Sequence, residues 1–324
     1  MAVQELVDLE TAGDPMSEQK WVRSSLRQLS TRLGEAGHPI SPPTVGRLLD
    51  ELGYALHVNA KKLEASAAHP ERNAQFEHIA AQRQMFAAAE LPVISIDTKK
   101  KELIGNFKNA GQAWSQEAEA VNAHDFPQDA LGRAVPYGIY DLRHNRGWMY
   151  VGSSADTPRF AVDVIAQWWT TIGRATFPQA DRLLILADAG GSNGCRPRLW
   201  KHQVQVRLSD GCGLSVTVCH YPPGCSKWNP IEHRLFSHIS LNWAGKPLRT
   251  WDTLLAYIRG TTTTTGLEVA AFLHEGVYTT GQSVSDAEMQ ALNLERHTVC
   301  PTWNYTFRPR SPSIPDPGNR EVVF

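Results

Sequence analysis

The sequence predicts an α/β domain built on a mixed five-stranded sheet and preceded by a small all-α domain. After residue 90, hydrophobic runs of strand length alternate with amphipathic segments of helix length in the order β-β-β-α-β-α-β-α. Before residue 70, two amphipathic segments each follow a serine that can cap a helix. In addition, the acids Asp97, Asp188 and Glu232 each close a hydrophobic run or open a helix. The first two observations define the architecture, and the third points to a site.

The N-terminal helical pattern covers residues 20–68. Ser17 is the predicted cap of the first helix and Ser41 that of the second, with a glycine-rich break between them. This pattern is typical of a helix-turn-helix-like DNA-binding domain, in which Thr44 and Arg47 face outward as candidate DNA contacts. Any packed helical hairpin gives the same hydrophobic stripe, so the DNA-binding interpretation stays open at this point.

The segments on either side of the main domain differ from it in composition. Residues 1–19 contain acids but no Lys or Arg and are predicted to be a disordered acidic leader, and residues 69–90 are predicted to be a connecting helix. The catalytic domain is expected over residues 91–308. The proline-rich segment 309–324 is expected to be a disordered tail.

Within the main domain, each strand is marked by a hydrophobic run bounded by turn residues. The five predicted strands cover residues 93–97, 134–142, 148–152, 183–188 and 214–219. Helices are predicted from Thr157, from about Arg198 and from Asn229, which is expected to cap the last of them.

This order is the plan of the ribonuclease H-like, or retroviral integrase-like, fold. Asp97 closes the first strand, Asp188 closes the fourth, and Glu232 lies on the last helix. A doubly wound nucleotide-binding fold would instead place a glycine-rich phosphate loop after the first strand. Asp97 is followed by Thr-Lys-Lys-Lys, so no nucleotide cofactor is expected.

The three acids predict a metal site. An isolated Asp at the end of a strand is more often a turn residue, but three acids at matching positions of one fold favour a shared role. Carboxylates that lie close together need a cation or a proton between them. Oxygen ligands suit Mg²⁺ or Mn²⁺, which also bind phosphate oxygens. Asp97, Asp188 and Glu232 are therefore predicted as catalytic and metal-binding residues for phosphoryl transfer on nucleic acid.

Further side chains near these acids are candidates for contacts with DNA. Four cations are expected to neutralise phosphates without reading sequence: Lys99, Lys100, Lys227 and Arg234. Trp114 and Trp228 are candidates for stacking on an unpaired base, although a tryptophan is more often a core or loop anchor.

Composition limits the remaining functional classes. The net charge of −1 includes the acidic leader, so the rest of the chain is net positive, as binding to DNA requires locally. The five cysteines have no repeated pair spacing, which argues against a disulfide framework. No apolar stretch is long enough for a membrane span and no signal-peptide core is present, so a cytoplasmic, nucleoid-associated protein without a membrane partner is expected.

Several sequence blocks resemble a known family. Asn229-Pro-Ile-Glu232 resembles the segment around the last acid of DDE transposases. The blocks that begin at Ser95, Ala187 and Cys219 resemble those of bacterial insertion-sequence transposases with a Rhodopirellula-type DDE domain, and the resemblance runs from about residue 21 to 310.

The resemblance implies metal-dependent cleavage and strand transfer at the ends of an insertion sequence. It places the family's catalytic triad on Asp97, Asp188 and Glu232. It also implies two Mg²⁺ or Mn²⁺ ions, double-stranded DNA at the element ends and the target as substrate, and self-association on DNA.

Two alternatives to an active transposase are left open, and the first rests on a departure from the family's pattern. Members commonly begin with an additional helix-turn-helix region, which this sequence lacks, so a truncated remnant that binds DNA without cutting it is the first alternative. The second is a cellular ribonuclease H-like nuclease.

Overall fold

The computed structural model describes residues 11–13, 20–22, 24–54, 69–113 and 115–310, the first two ranges as backbone only. The chain divides into two compact units, Met1–Ala65 and Ser66–Phe324.

The first unit contains two short strands and two helices. Strands β1 (Thr11–Gly13) and β2 (Lys20–Val22) pair antiparallel, and β1 lies within the segment predicted as a disordered leader. Helices α1 (Leu26–Glu35) and α2 (Pro42–Glu51) follow. The rest of the predicted leader, and residues 55–68 of the predicted helix-turn-helix-like domain, lie outside the described residues.

The start of α1 differs from the prediction. The cap is Ser25 and not Ser17, because Ser25 and Gln28 form a reciprocal capping box in which each side chain bonds the other residue's backbone N–H. The two helices then bury Leu29, Leu33 and Val45 against each other, as the hydrophobic stripes predict.

The second unit alternates strands and helices around one large sheet. Its helices are α3 (Arg72–Ala88), α4 (Pro158–Trp168), α5 (Arg198–Gln203), α6 (Ser237–Asn242), α7 (Trp251–Arg259) and α8 (Asp286–Gln290). Its strands are β3 (Val93–Thr98), β4 (Glu102–Ile104), β5 (Gly132–Asp141), β6 (Arg146–Gly152), β7 (Arg182–Asp188), β8 (Ser215–Tyr221), β9 (Glu268–His274), β10 (Leu294–Arg296) and β11 (Asn304–Phe307).

Three of the helices contain or adjoin π-helical turns, and the π turn before α6 starts at Glu232. These π-helical segments are Trp169–Gly173 after α4, Val204–Asp210 after α5, and Glu232–Phe236 before α6. Short 3₁₀ helices cover Pro127–Asp129 and Ser226–Trp228, and one further α-helical turn covers Arg174–Thr176.

The sheet confirms the predicted fold class but is larger than predicted. Its strands run in the order β10-β11-β8-β7-β3-β5-β6-β9, with β4 paired to β5, which makes nine strands in place of five. The five predicted strands form its centre, in which β3, β7 and β8 are parallel and β5 runs antiparallel to both β3 and β6. The added strands β4, β10 and β11 have only three or four residues each, and β9 has only one fully buried residue among those described, although residues 269–273 are all apolar.

Helices cover both faces of this sheet. On one face, α4 and α5 with their π turns bury Trp168, Trp200 and Val204 against the central strands. On the other face, α3 packs through Ile79 and Phe86, and the segments around α6 and α7 complete a second core. The predicted connecting helix α3 is therefore part of the packing of the larger unit.

Candidate active site

Asp97 and Asp188 lie at the same edge of the sheet and on the same face. Strands β3 and β7 are parallel, with Val93 beside Leu184 and Ser95 beside Leu186. Extending this register by two residues brings Asp97 beside Asp188, and adjacent strands lie about 4.8 Å apart. Successive side chains alternate between faces, so both carboxylates point to the face that is covered by α3 and α6. The predicted proximity of these two acids follows directly from the strand pairing.

Burial and mutual repulsion shift the pKa values of both carboxyl groups. Burial is the largest cause for Asp97, and the charges of Asp188 and Glu232 add to it, so that its pKa rises to about 8 in spite of a hydrogen bond from the Thr98 N–H. Burial likewise raises the pKa of Asp188 to about 6, against the opposing hydrogen bond from Asn229. The three carboxyl groups thus disfavour one another's ionised forms at this edge of the sheet.

Glu232 reaches the two aspartates from the first residue of the π-helical turn before α6. Its carboxylate lies close enough to Asp97 for the two groups to share a hydrogen bond when one is protonated, and it also acts on Asp188. The Glu232 N–H donates to the Asn229 carbonyl at 3.1 Å, which fixes the start of this turn. π-Helical turns are frequent at functional sites because they redirect a side chain within a helix.

A buried amide network holds Glu232's segment against the strands that carry the aspartates. The Asn229 side-chain amide donates to the Asp188 carboxylate at 3.1 Å and to the Ile96 carbonyl at 3.2 Å. Its oxygen accepts a short hydrogen bond from the Ser95 hydroxyl, which in turn accepts from the Ile231 N–H at 3.0 Å. Ser95 and Asn229 are both fully buried.

The role of Asn229 corrects the sequence prediction. Its side chain does not cap the following helix, since no side-chain cap is formed there. The Ser95 hydroxyl takes that place at Ile231, and the Asn229 amide is used to orient Asp188. Ser95 could have been identified from the sequence, because it is a polar residue inside the hydrophobic run of β3. It lies two positions before Asp97 and therefore on the same face of the sheet.

A second buried network supports the backbone at Asp188. His220 on β8 contacts the Asp188 carbonyl through Nδ1 at 2.9 Å and the Tyr305 hydroxyl through Nε2 at 2.7 Å. Burial lowers the pKa of His220 to about 4, so the ring is neutral, with Nδ1 as donor and Nε2 as acceptor. Trp200 Nε1 donates to the same Tyr305 hydroxyl at 3.1 Å. Strand β11 therefore helps to fix the position of Asp188.

The donor set suits a hard divalent cation. Within the described ranges, no three acidic, histidine or cysteine side chains are already arranged to hold an ion. The carboxylates of Asp97, Asp188 and Glu232 are nevertheless electrostatically coupled and half-buried. Among the described residues they form no ion pair with Lys or Arg, although the charges of Lys99 and Glu232 attract each other, and their hydrogen-bond partners include no sulfur. Such oxygen donors favour Mg²⁺ or Mn²⁺ over softer metals.

The predicted DNA-contacting cations differ in their exposure. Lys99 is only 7% exposed, lies 3.8 Å from a Glu102 oxygen and 4.6 Å from the Trp243 ring, and burial lowers its pKa. Lys100, Lys227 and Arg234 are exposed, and the Lys100 ammonium lies 3.9 Å from Glu102.

The remaining predicted contacts lie in both units. Trp228 is half-exposed and packs edge-on against Phe76. In the first unit, Arg47 is exposed and pairs with Glu51, and the Thr44 hydroxyl bonds that of Ser41. Trp114 lies outside the described residues. These contacts remain predictions.

Two further expectations concern the cysteines and the membrane. All five cysteines are free thiols, as their spacing predicts. Within the part of the chain that the structure describes, no helix has the length and apolar character needed to cross a bilayer.

Comparisons with solved structures find distant similarity to Mos1 transposase complexes. The paired-end complex with the left transposon end is 11% identical, with a TM-score of 0.42, over 79% of this chain and 68% of that chain. The mariner paired-end complex with Mn is 12% identical and the strand transfer complex 13%, each with a TM-score of 0.41 and the same coverage. No curated protein matches.

Comparison with family models gives a match of nearly full length. The model described as the Rhodopirellula transposase DDE domain matches residues 2–309. The chain therefore belongs to the Rhodopirellula-type DDE domain family and is a DDE transposase.

Proposed function

We propose that this transposase cleaves DNA at the ends of an insertion sequence and joins the freed 3′ ends to target DNA, with Asp97, Asp188 and Glu232 as its catalytic acids. The observation that carries this proposal is the coupling of the three carboxylates at one edge of the sheet, where the pKa of Asp97 rises to about 8. Three crowded acids that form no ion pair with Lys or Arg within the described residues are suited to bind divalent cations from solution. Family membership supplies the reaction class.

The three acids would hold two divalent ions, Mg²⁺ or Mn²⁺. Asp97 is the best candidate to contact both ions, because its carboxyl group interacts electrostatically with both other acids. Asp188 would hold one ion with its orientation fixed by Asn229, and Glu232 would hold the other. Ions bound in this way polarise phosphoryl oxygens and lower the pKa of an attacking hydroxyl.

The protein's own residues hold the three acids in place, and the proposed reaction requires no covalent catalysis. Ser95 and Asn229 keep the Glu232 segment against β3 and β7, so that the acids on separate elements stay together. Direct in-line displacement by water, and later by a 3′-hydroxyl, requires no covalent intermediate and hence no nucleophilic side chain. Lys100, Lys227 and Arg234 would contact backbone phosphates without sequence preference.

The substrate is proposed to be double-stranded DNA at both the element ends and the target. The solved Mos1 complexes contain a paired end or a transposon end by their descriptions, which motivates the further proposal that this chain self-associates on DNA. Thr44, Arg47, Trp114 and Trp228 are proposed to contribute DNA contacts. A nucleoid location in the cytoplasm follows from that substrate.

The test is strand cleavage of a supercoiled plasmid that carries the genomic DNA flanking the gene. We expect nicking and joining only with Mg²⁺ or Mn²⁺, and loss of both in Asp97→Asn, Asp188→Asn and Glu232→Gln. Asp181→Asn is the matched control, because Asp181 is an exposed acid next to the opposite end of β7 and should leave cleavage unchanged.

Three outcomes would contradict the proposal. Equal cleavage by wild type and Asp97→Asn would show that the Asp97 carboxylate is not needed for catalysis. Binding of the flanking DNA without any cleavage would favour an inactive remnant. Cleavage of the RNA strand of RNA–DNA hybrids in preference to the plasmid would favour a cellular nuclease.

A further inference from the structure

Asp97 and Asp188 line a cleft of about 1100 Å³ that extends well beyond the acids. Its walls come from the loop after β7, the loop after β8, and the β10–β11 hairpin. This volume exceeds the roughly 300–1,000 Å³ of typical sites for single small molecules, so an extended ligand suits it better.

The cleft combines the two acids with three cations. Of the described side chains that line it, only Asp97 and Asp188 are acidic, whereas Arg196, Lys201 and Arg296 are cationic. We call these three residues the cation cluster. A ligand that fills the cleft must satisfy both the acids, through divalent ions, and the cation cluster.

Lys201 is the buried member of the cluster. It is only 8% exposed, and its ammonium donates to the Cys195 carbonyl at 2.6 Å and lies 5.6 Å from the centre of the Tyr305 ring. Burial lowers the pKa of Lys201, and the charge of Arg296 lowers it further. A buried cation beside a second cation is costly unless an anion completes the site.

Neither arginine of the cluster is neutralised by the described part of the protein. One Arg296 guanidinium nitrogen donates to the Pro301 carbonyl at 2.9 Å, which holds the side chain at the end of β10 without cancelling its charge. Arg196 is exposed in the loop after β7, and its only described electrostatic neighbour is the Cys195 thiol. The cluster thus offers positive charge to a ligand.

Aromatic rings line the same cleft. Trp303 and His69 both line it and pack edge-to-face with their centroids 4.7 Å apart. A charged groove with aromatic side chains is the usual arrangement for a nucleic-acid strand, whose phosphates follow the cations and whose bases contact the rings.

We propose that Arg196, Lys201 and Arg296 bind backbone phosphates of the same DNA strand whose cleaved phosphodiester lies at Asp97 and Asp188. This inference rests on the proposed function. It adds a phosphate-binding site that is separate from Lys227 and Arg234 and is built from the loop after β7, helix α5 and the β10–β11 hairpin. It also assigns that site to the cleaved strand.

The first test is the salt dependence of DNA binding by Arg196→Ala/Arg296→Ala, measured by fluorescence anisotropy without divalent ions. Loss of two phosphate contacts should reduce the slope of log affinity against log salt by about 1.4–1.8. Arg182→Ala is the matched control, because Arg182 begins β7 roughly 20 Å from Asp188 and should leave the slope unchanged. An unchanged slope in the double variant would overturn the inference.

The second test locates the contact on the strand. Single backbone phosphates around the mapped cleavage position are replaced one at a time by uncharged methylphosphonates. The wild type should lose affinity at one or more phosphates of the cleaved strand, and the double variant should be insensitive at those same phosphates. Equal sensitivity of both proteins at every position would overturn the assignment.

Two controls complete the tests. The first shows whether the cation cluster binds DNA or free phosphate, and the second shows whether a negative result contradicts this inference or the proposed function. If inorganic phosphate stabilises the wild type but not the double variant, while the salt slope for DNA is equal in both, the cluster binds free phosphate and the assignment to DNA is wrong. Failure of the wild type to cleave would contradict the proposed function, whereas metal-dependent cleavage with an unchanged salt slope in the double variant contradicts only this inference.

Discussion

Asn229→Ala removes the amide that joins the segment of Glu232 to the strands that carry the aspartates. The substitution deprives the Ser95 hydroxyl, the Ile96 carbonyl and one Asp188 oxygen of a partner. A buried polar group left unpaired costs about 1–3 kcal/mol, and relaxation lowers the sum for three such groups. We therefore expect the free energy of unfolding, measured by chemical denaturation, to fall by roughly 3–5 kcal/mol.

The same substitution should weaken the binding of metal ions. Asp188 loses the hydrogen bond that orients its carboxylate, and loss of such a supporting partner typically lowers metal affinity by about 10–100-fold. A calorimetric titration of Mn²⁺ into wild type and Asn229→Ala measures this change under conditions where both proteins are folded.

Gln205→Ala is the matched control that separates the positioning of the metal-binding acids from the stability of the fold. Gln205 is fully buried and makes three comparable hydrogen bonds, to the Asp210 carboxylate, the Arg308 carbonyl and the Asn293 N–H, away from the three acids. The Gln205→Ala variant should lose a free energy of unfolding similar to that lost by Asn229→Ala, while its affinity for Mn²⁺ stays at the wild-type value. An equal loss of Mn²⁺ affinity in both variants, or a wild-type affinity in Asn229→Ala, would refute the positioning role.

Three further predictions concern pH, the loop after β7 and the exposed tryptophan. The folded protein keeps a proton on Asp97 up to pH about 8, because its pKa is raised there, whereas the unfolded chain releases this proton near pH 4. The stability of the metal-free protein should therefore fall as pH rises through this window. In thermal unfolding experiments, Asp97→Asn should lack this part of the pH dependence. Gly194→Ala places a Cβ 2.8 Å from the Ala189 carbonyl oxygen, so its unfolding midpoint should drop by several degrees, whereas Gly190→Ala, with no atom within 4 Å, should change it little. Trp228→Ala should weaken the binding of DNA with an unpaired end by about 1–3 kcal/mol in anisotropy measurements while duplex binding is unchanged, and an equal loss for both DNAs would contradict stacking.

The centre of the sheet could be predicted because each of its strands is a buried hydrophobic run. Strands β10 and β11 could not, since they have only three and four residues and are defined by pairing with a neighbour and not by their own composition. Strand β9 was not predicted although residues 269–273 form a hydrophobic run, and most of that run stays partly exposed at the edge of the sheet. The omission of β11 mattered for the site, because β11 supplies Tyr305 to the network behind Asp188.

The two aspartates could be predicted for a similar reason, since the end of a hydrophobic run fixes the edge and the face of the sheet on which each lies. Glu232 could be predicted from its place at the start of a helix in the segment Asn229-Pro-Ile-Glu232. The contact between the supporting groups could not be predicted, because Ser95 and Asn229 meet only when the loop after β8 returns to β3. Lys99 shows that a run of charged residues does not reliably predict which side chains are exposed to bind DNA. It stands in a run of three lysines, yet strand alternation and the packing of Trp243 bury it.

Mn²⁺ binding to the three acids tests the central claim most directly. Electron paramagnetic resonance counts free and bound Mn²⁺ in the presence of DNA that carries the sequences flanking the gene. We predict up to two ions bound per chain in the wild type, strong loss of binding in Asp97→Asn and Glu232→Gln, and wild-type binding in Asp181→Asn. Equal Mn²⁺ binding by the wild type and a variant lacking all three acids would contradict the account.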